Sequence, residues 1–138
     1  FTLIELLIVL VIMVGVAAVA VPRFAKAMTY VELRKSTQQL AASLRDARNR
    51  SIIEARTAEV ILNTERQFLR VREKGIVLDW PDDIHVSLDG SETSPSVEEW
   101  SIRFYPDGTA SNVSLSVVAL ERRYQVSVDW LTGRVRVL

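Results

Sequence analysis

The sequence opens FTLIELLIVLVIMVGVAAVAVPRF, residues 1–24, and Glu5 stands inside it with no other charged side chain before Arg23. As a helix rising about 1.5 Å per residue, residues 1–22 span about 33 Å, against roughly 30 Å of bilayer hydrocarbon. The stretch therefore has the length of a membrane segment. A carboxylate within one costs on the order of 2.5–3.5 kcal/mol near the helix centre and less toward an end. Something must offset that cost, and the nature of the offset decides what the segment is.

Three plain readings compete. Ala18-Val19-Ala20 has the small-x-small form of a secretory cleavage site, but such a signal starts with Met and a basic stretch, and this chain starts at Phe1 with neither. A core helix of a soluble protein would be amphipathic, whereas this one is apolar all round. An ordinary anchor that keeps Glu5 solvated or protonated near the interface stays open on physical grounds. From the start at Phe1 without an initiator Met we expect that a leader has been removed just before it.

Phe1-Thr2-Leu3-Ile4-Glu5, the apolar run and Pro22 together resemble the mature N-terminus of the type IV pilin superfamily, which includes the pseudopilins of type II secretion. The resemblance implies that a prepilin peptidase cuts ahead of Phe1 and that the new amine is N-methylated. It also implies that Glu5 recruits the subunit into a filament and neutralises the amine of a neighbouring subunit. Physics agrees with the borrowed role, because a carboxylate in low dielectric regains much of its penalty when a neighbour supplies a cation.

The remainder reads as one soluble domain. The chain has 138 residues, with 17 Lys and Arg against 17 Asp and Glu, so without Glu5 the part after residue 22 carries about +1. Such a balance does not announce nucleic acid. There is no Cys, hence no disulfide framework and no redox evidence for a compartment. With Arg23 and Lys26 just past the anchor, charge alone leaves topology ambiguous. The resemblance implies a single-pass protein of the bacterial inner membrane with its soluble domain in the periplasm.

Residues 23–56 keep a helical period but become amphipathic. Leu33, Leu40 and Ala47 recur every seven residues, with Thr37, Leu44 and Ser51 at the offset, giving an interrupted apolar stripe. Pro22 predicts a kink or a lost hydrogen bond. After Thr57 the period becomes two, and eight strands are predicted at 58–62, 67–72, 76–80, 84–88, 100–105, 113–119, 123–129 and 134–138. Tyr105-Pro106-Asp107-Gly108 and Leu131-Thr132-Gly133 carry turn chemistry. The expected fold is α+β and pilin-like: residues 1–22 form a transmembrane and filament-core helix, 23–56 its amphipathic continuation, and 57–138 an antiparallel β domain against which that helix packs.

Asp89–Glu99 (DGSETSPSVEE) reads as an exposed loop. Its carboxylates invite a calcium reading, yet neither DGSETS nor WPDD has the ligand spacing of an EF-hand loop, so no metal or other cofactor is expected. Catalysis is not expected either. The single His85 is read as a structural strand residue, a thiol nucleophile is absent, and no G-x-S-x-G elbow, P-loop or dinucleotide fingerprint occurs. Zinc spacing of the His/Cys type is impossible with one His and no Cys.

Ser101-Ile102-Arg103-Phe104-Tyr105-Pro106-Asp107-Gly108-Thr109 and the closing stretch from Tyr124 to Val137 are similar to the ending of the GspH/FimT family of minor pilins. The secretion branch of that family implies a minor pseudopilin that joins a tip complex of minor pseudopilins I, J and K to the major pseudopilin, with the inner-membrane assembly platform as a further partner. The alternative is a FimT-like minor type IV pilin that binds DNA during transformation through a G-R-x-R element. Gly133-Arg134-Val135-Arg136 fits that form. Arg134 and Arg136 would share a strand face and contact phosphates, with Arg122 and Arg123 nearby. Near-zero net charge makes nucleic acid the less expected partner.

Overall fold

The structure is a computed structural model that describes residues 1–72, 74–89 and 99–138. Most of the expected 89–99 loop, residues 90–98, lies outside the described residues. The chain forms two compact units, Phe1–Glu32 and Leu33–Leu138. One helix, α1 (Leu3–Ile53), contributes to both.

The first unit is helical from Leu3 onward. Its side chains from Leu3 to Met28 are exposed on every face, as a stretch with no protein partner and no polar side must be. It is long and apolar enough to cross a membrane. The helix continues through Pro22, whose ring nitrogen offers no N–H to the Ala18 carbonyl.

In the second unit the buried helical residues are Leu33, Ser36, Thr37, Leu40, Ala41, Leu44, Ala47 and Ser51, which is the stripe the seven-residue recurrence predicts with two small neighbours added. Buried hydroxyls need partners, and two of these bond back to their own helix: Thr37 Oγ1 donates to the Leu33 carbonyl at 2.8 Å, and Ser51 Oγ to the Arg48 carbonyl at 2.7 Å. The helix stops at Ile53, three residues before the end expected from the sequence. Ala55 turns left-handed at φ +51°, so its N–H reaches the Ile52 carbonyl and the Arg56 N–H reaches that of Ser51, at 3.4 and 3.2 Å. That is a Schellman ending with alanine where glycine is usual.

Eight strands follow: β1 (Ala58–Asn63), β2 (Phe68–Val71), β3 (Gly75–Asp79), β4 (His85–Leu88), β5 (Glu99–Phe104), β6 (Val113–Ala119), β7 (Arg122–Val128) and β8 (Val135–Val137). Each coincides with a predicted strand. They divide into two antiparallel four-stranded sheets, ordered β3-β2-β1-β5 and β4-β6-β7-β8, a division that period-two patterning cannot express. Inward residues of both sheets, among them Val60, Leu62, Ile102, Phe104, Leu115, Val117 and Val126, join Leu33, Leu40 and Leu44 in one core.

Gln67 ties the two sheets together. At φ +53° it closes the β1–β2 connection. Its side-chain amide accepts from the Val86 N–H at 2.6 Å and donates to the Val86 carbonyl at 3.3 Å. Val86 lies on β4, an edge strand, so the amide stands in for a missing strand neighbour and protects that edge.

Candidate interaction surfaces

At the start of the first unit, Thr2 and Glu5 occupy the N-cap and third helical positions of α1. The Thr2 N–H donates to Glu5 Oε2 at 3.4 Å and the Glu5 N–H to Thr2 Oγ1 at 3.3 Å, a reciprocal capping box. The T-x-x-E spacing that announces it is legible in the sequence, and the reading of Glu5 as a residue awaiting a partner passes over it. Phe1 is fully exposed beside this cap. Pro22 lies about 25 Å farther along the helix axis.

In the second unit, about two turns of helix, Arg45 to Ser51, hold β8 and the two connections that follow β5 and β7. Arg45 Nη2 donates to the Val135 carbonyl at 3.1 Å, Arg48 Nε to the Thr132 carbonyl at 3.2 Å, and Ser51 Oγ also reaches the Tyr105 carbonyl at 3.2 Å. Val135 is on β8, the edge of its sheet, and its carbonyl points outward from the ladder, so Arg45 satisfies an edge acceptor.

The two connections carry matching carboxylate clasps. Asp107 Oδ1 accepts from the Thr109 hydroxyl and N–H at 2.7 and 3.0 Å. Asp129 Oδ1 accepts from the N–H groups of Thr132 and Leu131 at 2.9 and 3.1 Å and from the Thr132 hydroxyl at 3.0 Å. These bonds favour the charged carboxylates. The Thr109 hydroxyl and N–H bring the pKa of Asp107 below its ordinary value, and the Thr132 N–H and hydroxyl, followed by the Leu131 N–H and the charge of Arg136, do the same for Asp129. Gly108 and Gly133, at φ +88° and +62°, complete the turns. They meet in space, because a Cβ on Gly133 would fall onto the Gly108 carbonyl oxygen and within 2.7 Å of Arg48 Nε.

Between α1 and β8 this packing leaves a groove of about 420 Å³ lined by Arg45, Arg48, Asn49, Gly133, Arg134, Val135 and Arg136. Arg134 and Arg136 are exposed and two positions apart, which puts them on one side of the strand. The arginines that join them come from the helix. Arg122 and Arg123 do not line the groove; they lie at the other end of β7, where Arg123 donates to Asp89 Oδ1 and Ser116 Oγ, each at 2.5 Å. Arg45 and Arg48 are missed by sequence reasoning because a charged helical residue reads as solvent-facing. The available signal is their place one residue after the buried Leu44 and Ala47, at the border of the stripe.

A second charged cluster sits on the first sheet. Glu59 on β1 accepts from Ser101 Oγ at 2.5 Å and from Arg103 Nε at 3.4 Å, both on β5, and pairs with Arg72. The Ser101 hydroxyl, then the Arg72 and Arg103 guanidiniums, lower its pKa against a smaller opposing effect of burial. His85 is exposed at the start of β4. Among the described residues, no group of three or more His, Asp or Glu side chains converges on a metal-sized site.

No protein-family model and no curated protein matches this sequence. Solved structures do match. The minor pseudopilin EpsH from the type 2 secretion system of Vibrio cholerae superposes with a TM-score of 0.58 at 15% identity, over 78% of this chain and 96% of that one. The type IV minor pilin FimU of Pseudomonas aeruginosa PAO1 superposes with a TM-score of 0.58 at 14% identity, over 80% and 90%. The fold is pilin-like: a long N-terminal helix packed on antiparallel sheets, as in these minor pseudopilins and minor pilins.

Proposed function

We propose that this chain is a non-enzymatic filament subunit, the minor pseudopilin H of a type II secretion system, which links the pseudopilus tip complex to the major pseudopilin and supports export of folded proteins across the outer membrane. The observation that carries the reading is the co-occurrence of the Phe1-to-Glu5 motif on an apolar, exposed helix with a domain whose fold covers 96% of a minor pseudopilin.

In this reading Phe1 is the leader-cleavage and N-methylation site of a prepilin peptidase substrate. Glu5 meets the amine of a neighbour, and Pro22 bends the helix. The first helix spans the inner membrane, and the β domain lies in the periplasm. Minor pseudopilins I, J and K, the major pseudopilin and the assembly platform are its partners. A second reading, a FimT-like minor type IV pilin that binds DNA, draws on the four arginines of the groove.

The test is a secretome comparison. The gene is deleted and restored with this chain, and exoproteins in the medium are quantified by mass spectrometry. Exoproteins held in the periplasm until complementation support the secretion role. Unchanged secretion with impaired DNA uptake moves the assignment to the pilus branch.

A further inference from the structure

We infer that the groove between α1 and β8 is a docking site for an acidic segment of another protein chain, held by Arg45, Arg48, Arg134 and Arg136 with Trp130 and Leu131 as its apolar flank. The inference rests on the subunit reading above and gives that subunit a contact outside its N-terminal helix.

The first observation is uncompensated charge. Four guanidiniums border one groove, and among the described residues no carboxylate lines it. Asp129 is the acidic group that senses one of them, Arg136, from outside the groove lining, with its Oδ1 bonded to the Thr132 and Leu131 donors of its own turn. Several arginines elsewhere in the same domain are matched, Arg72 and Arg103 with Glu59, Arg123 with Asp89 and Arg50 with Asp46, and Arg66 and Arg70 stand apart from the groove lining. The groove is distinguished by gathering four arginines on one lining that includes no carboxylate among the described residues.

The second observation is preorganisation. Arg45 and Arg48 are each fixed by one bond to a backbone carbonyl, which leaves four of the five N–H donors of each guanidinium for a ligand. Planar guanidiniums take carboxylates in two parallel bonds. Gly133 carries no side chain, and Arg48 packs directly against its backbone, where a Cβ would come within 2.7 Å of Arg48 Nε.

The third observation selects protein over nucleic acid. Trp130 and Leu131, in the turn that leads to Arg134, are 58% and 60% exposed. Exposed Trp within four residues of Arg in one turn is the composition of a protein-interface anchor, and an apolar Leu gains nothing from a phosphate backbone. No aromatic residue lines the groove itself, and Trp130 is a single exposed ring, short of the succession of stacking platforms that strings of bases use. The whole chain is electrically neutral, which withholds the long-range attraction that sequence-independent DNA binding depends on.

The test uses the full chain in phosphatidylcholine nanodiscs, titrated at about 150 mM salt with fluorescent hexaglutamate and, separately, with a DNA duplex of about 20 base pairs. The expected result is saturable hexaglutamate binding that weakens about tenfold or more in the double variant Arg134→Gln/Arg136→Gln. The control variant Arg66→Gln/Arg70→Gln, which removes the same charge from another surface, should bind as the parent does. Both pairs have exposed or half-exposed side chains, and unchanged melting confirms that the fold is intact. Absent hexaglutamate binding, an equal loss in the control, or tighter binding of the duplex through the same arginines overturns the inference. A chain that restores secretion yet fails this titration loses the docking site and keeps its function.

Discussion

Thr2 and Glu5 bond to each other across the first turn of α1, the Thr2 N–H to Glu5 Oε2 at 3.4 Å and the Glu5 N–H to Thr2 Oγ1 at 3.3 Å. Glu5 thus repays part of its cost inside its own subunit, by capping and by lying at the positive end of the helix dipole. Capping and pairing with a neighbour make different demands on the side chain. Glu5→Gln keeps a third-position acceptor for the Thr2 N–H and removes the charge, whereas Glu5→Ala removes both. If the charge meets a neighbour's amine, both variants insert into the membrane and both are depleted from sheared filaments, measured by immunoblot against the membrane fraction. Incorporation of the glutamine variant at the parental level would reduce Glu5 to a cap.

The helix ending offers a stability prediction. Ala55 holds φ +51°, a conformation that costs an L-residue with a Cβ about 1 kcal/mol and glycine almost nothing. Ala55→Gly is therefore expected to stabilise the domain by up to about 0.5 kcal/mol, after allowance for glycine's greater freedom when unfolded. Urea unfolding of the full chain in detergent reads the shift in midpoint. A lower midpoint would mean that the Ala55 methyl contributes more than its strain removes.

Much of the fold is legible because burial imposes a period. The recurrence of Leu33, Leu40 and Ala47, offset by Thr37, Leu44 and Ser51, reads as a buried stripe from its spacing alone, and these residues are buried. The turns at Gly108 and Gly133 are legible because positive φ selects glycine, and both glycines have it. Three things are hidden. The end of α1 is, because Ala55 gives no glycine signal. The split into two sheets is, because it depends on which strands pair across long separations. The helix side of the arginine groove is, because Arg45 and Arg48 acquire their positions from β8 and the β7–β8 turn, 90 and 84 residues away in the chain.

Gly133 tests the junction of the two turns. Its φ of +62° strains any side chain, and a Cβ would also collide with the Gly108 carbonyl and approach Arg48 Nε within 2.7 Å. Gly75 has a similar φ of +79° with nothing in the way. The pair separates strain from collision. Gly75→Ala should cost about 1 kcal/mol and Gly133→Ala about 2 kcal/mol or more. Equal losses in chemical unfolding would show that Arg48 and the Tyr105–Gly108 turn yield without cost.

Glu59 gives the domain a pH dependence whose sign can be worked out. Bonded by Ser101 and flanked by Arg72 and Arg103, its folded pKa lies below the ordinary 4.5. Above that value both folded and unfolded chains hold an ionised Glu59, and the folded state keeps its full advantage. As pH falls below 4.5 the unfolded chain takes up the proton first, so the advantage shrinks and is gone once pH passes the folded pKa. The difference in unfolding free energy between the parent and Glu59→Gln should therefore be constant from about pH 7 to about pH 5.5 and narrow below about pH 4.5. Asp107 and Asp129, whose pKa values are also lowered, titrate in both proteins and cancel in the difference. A difference that holds steady into strong acid would mean that the Ser101 and Arg103 bonds recognise the shape of the side chain and not its charge.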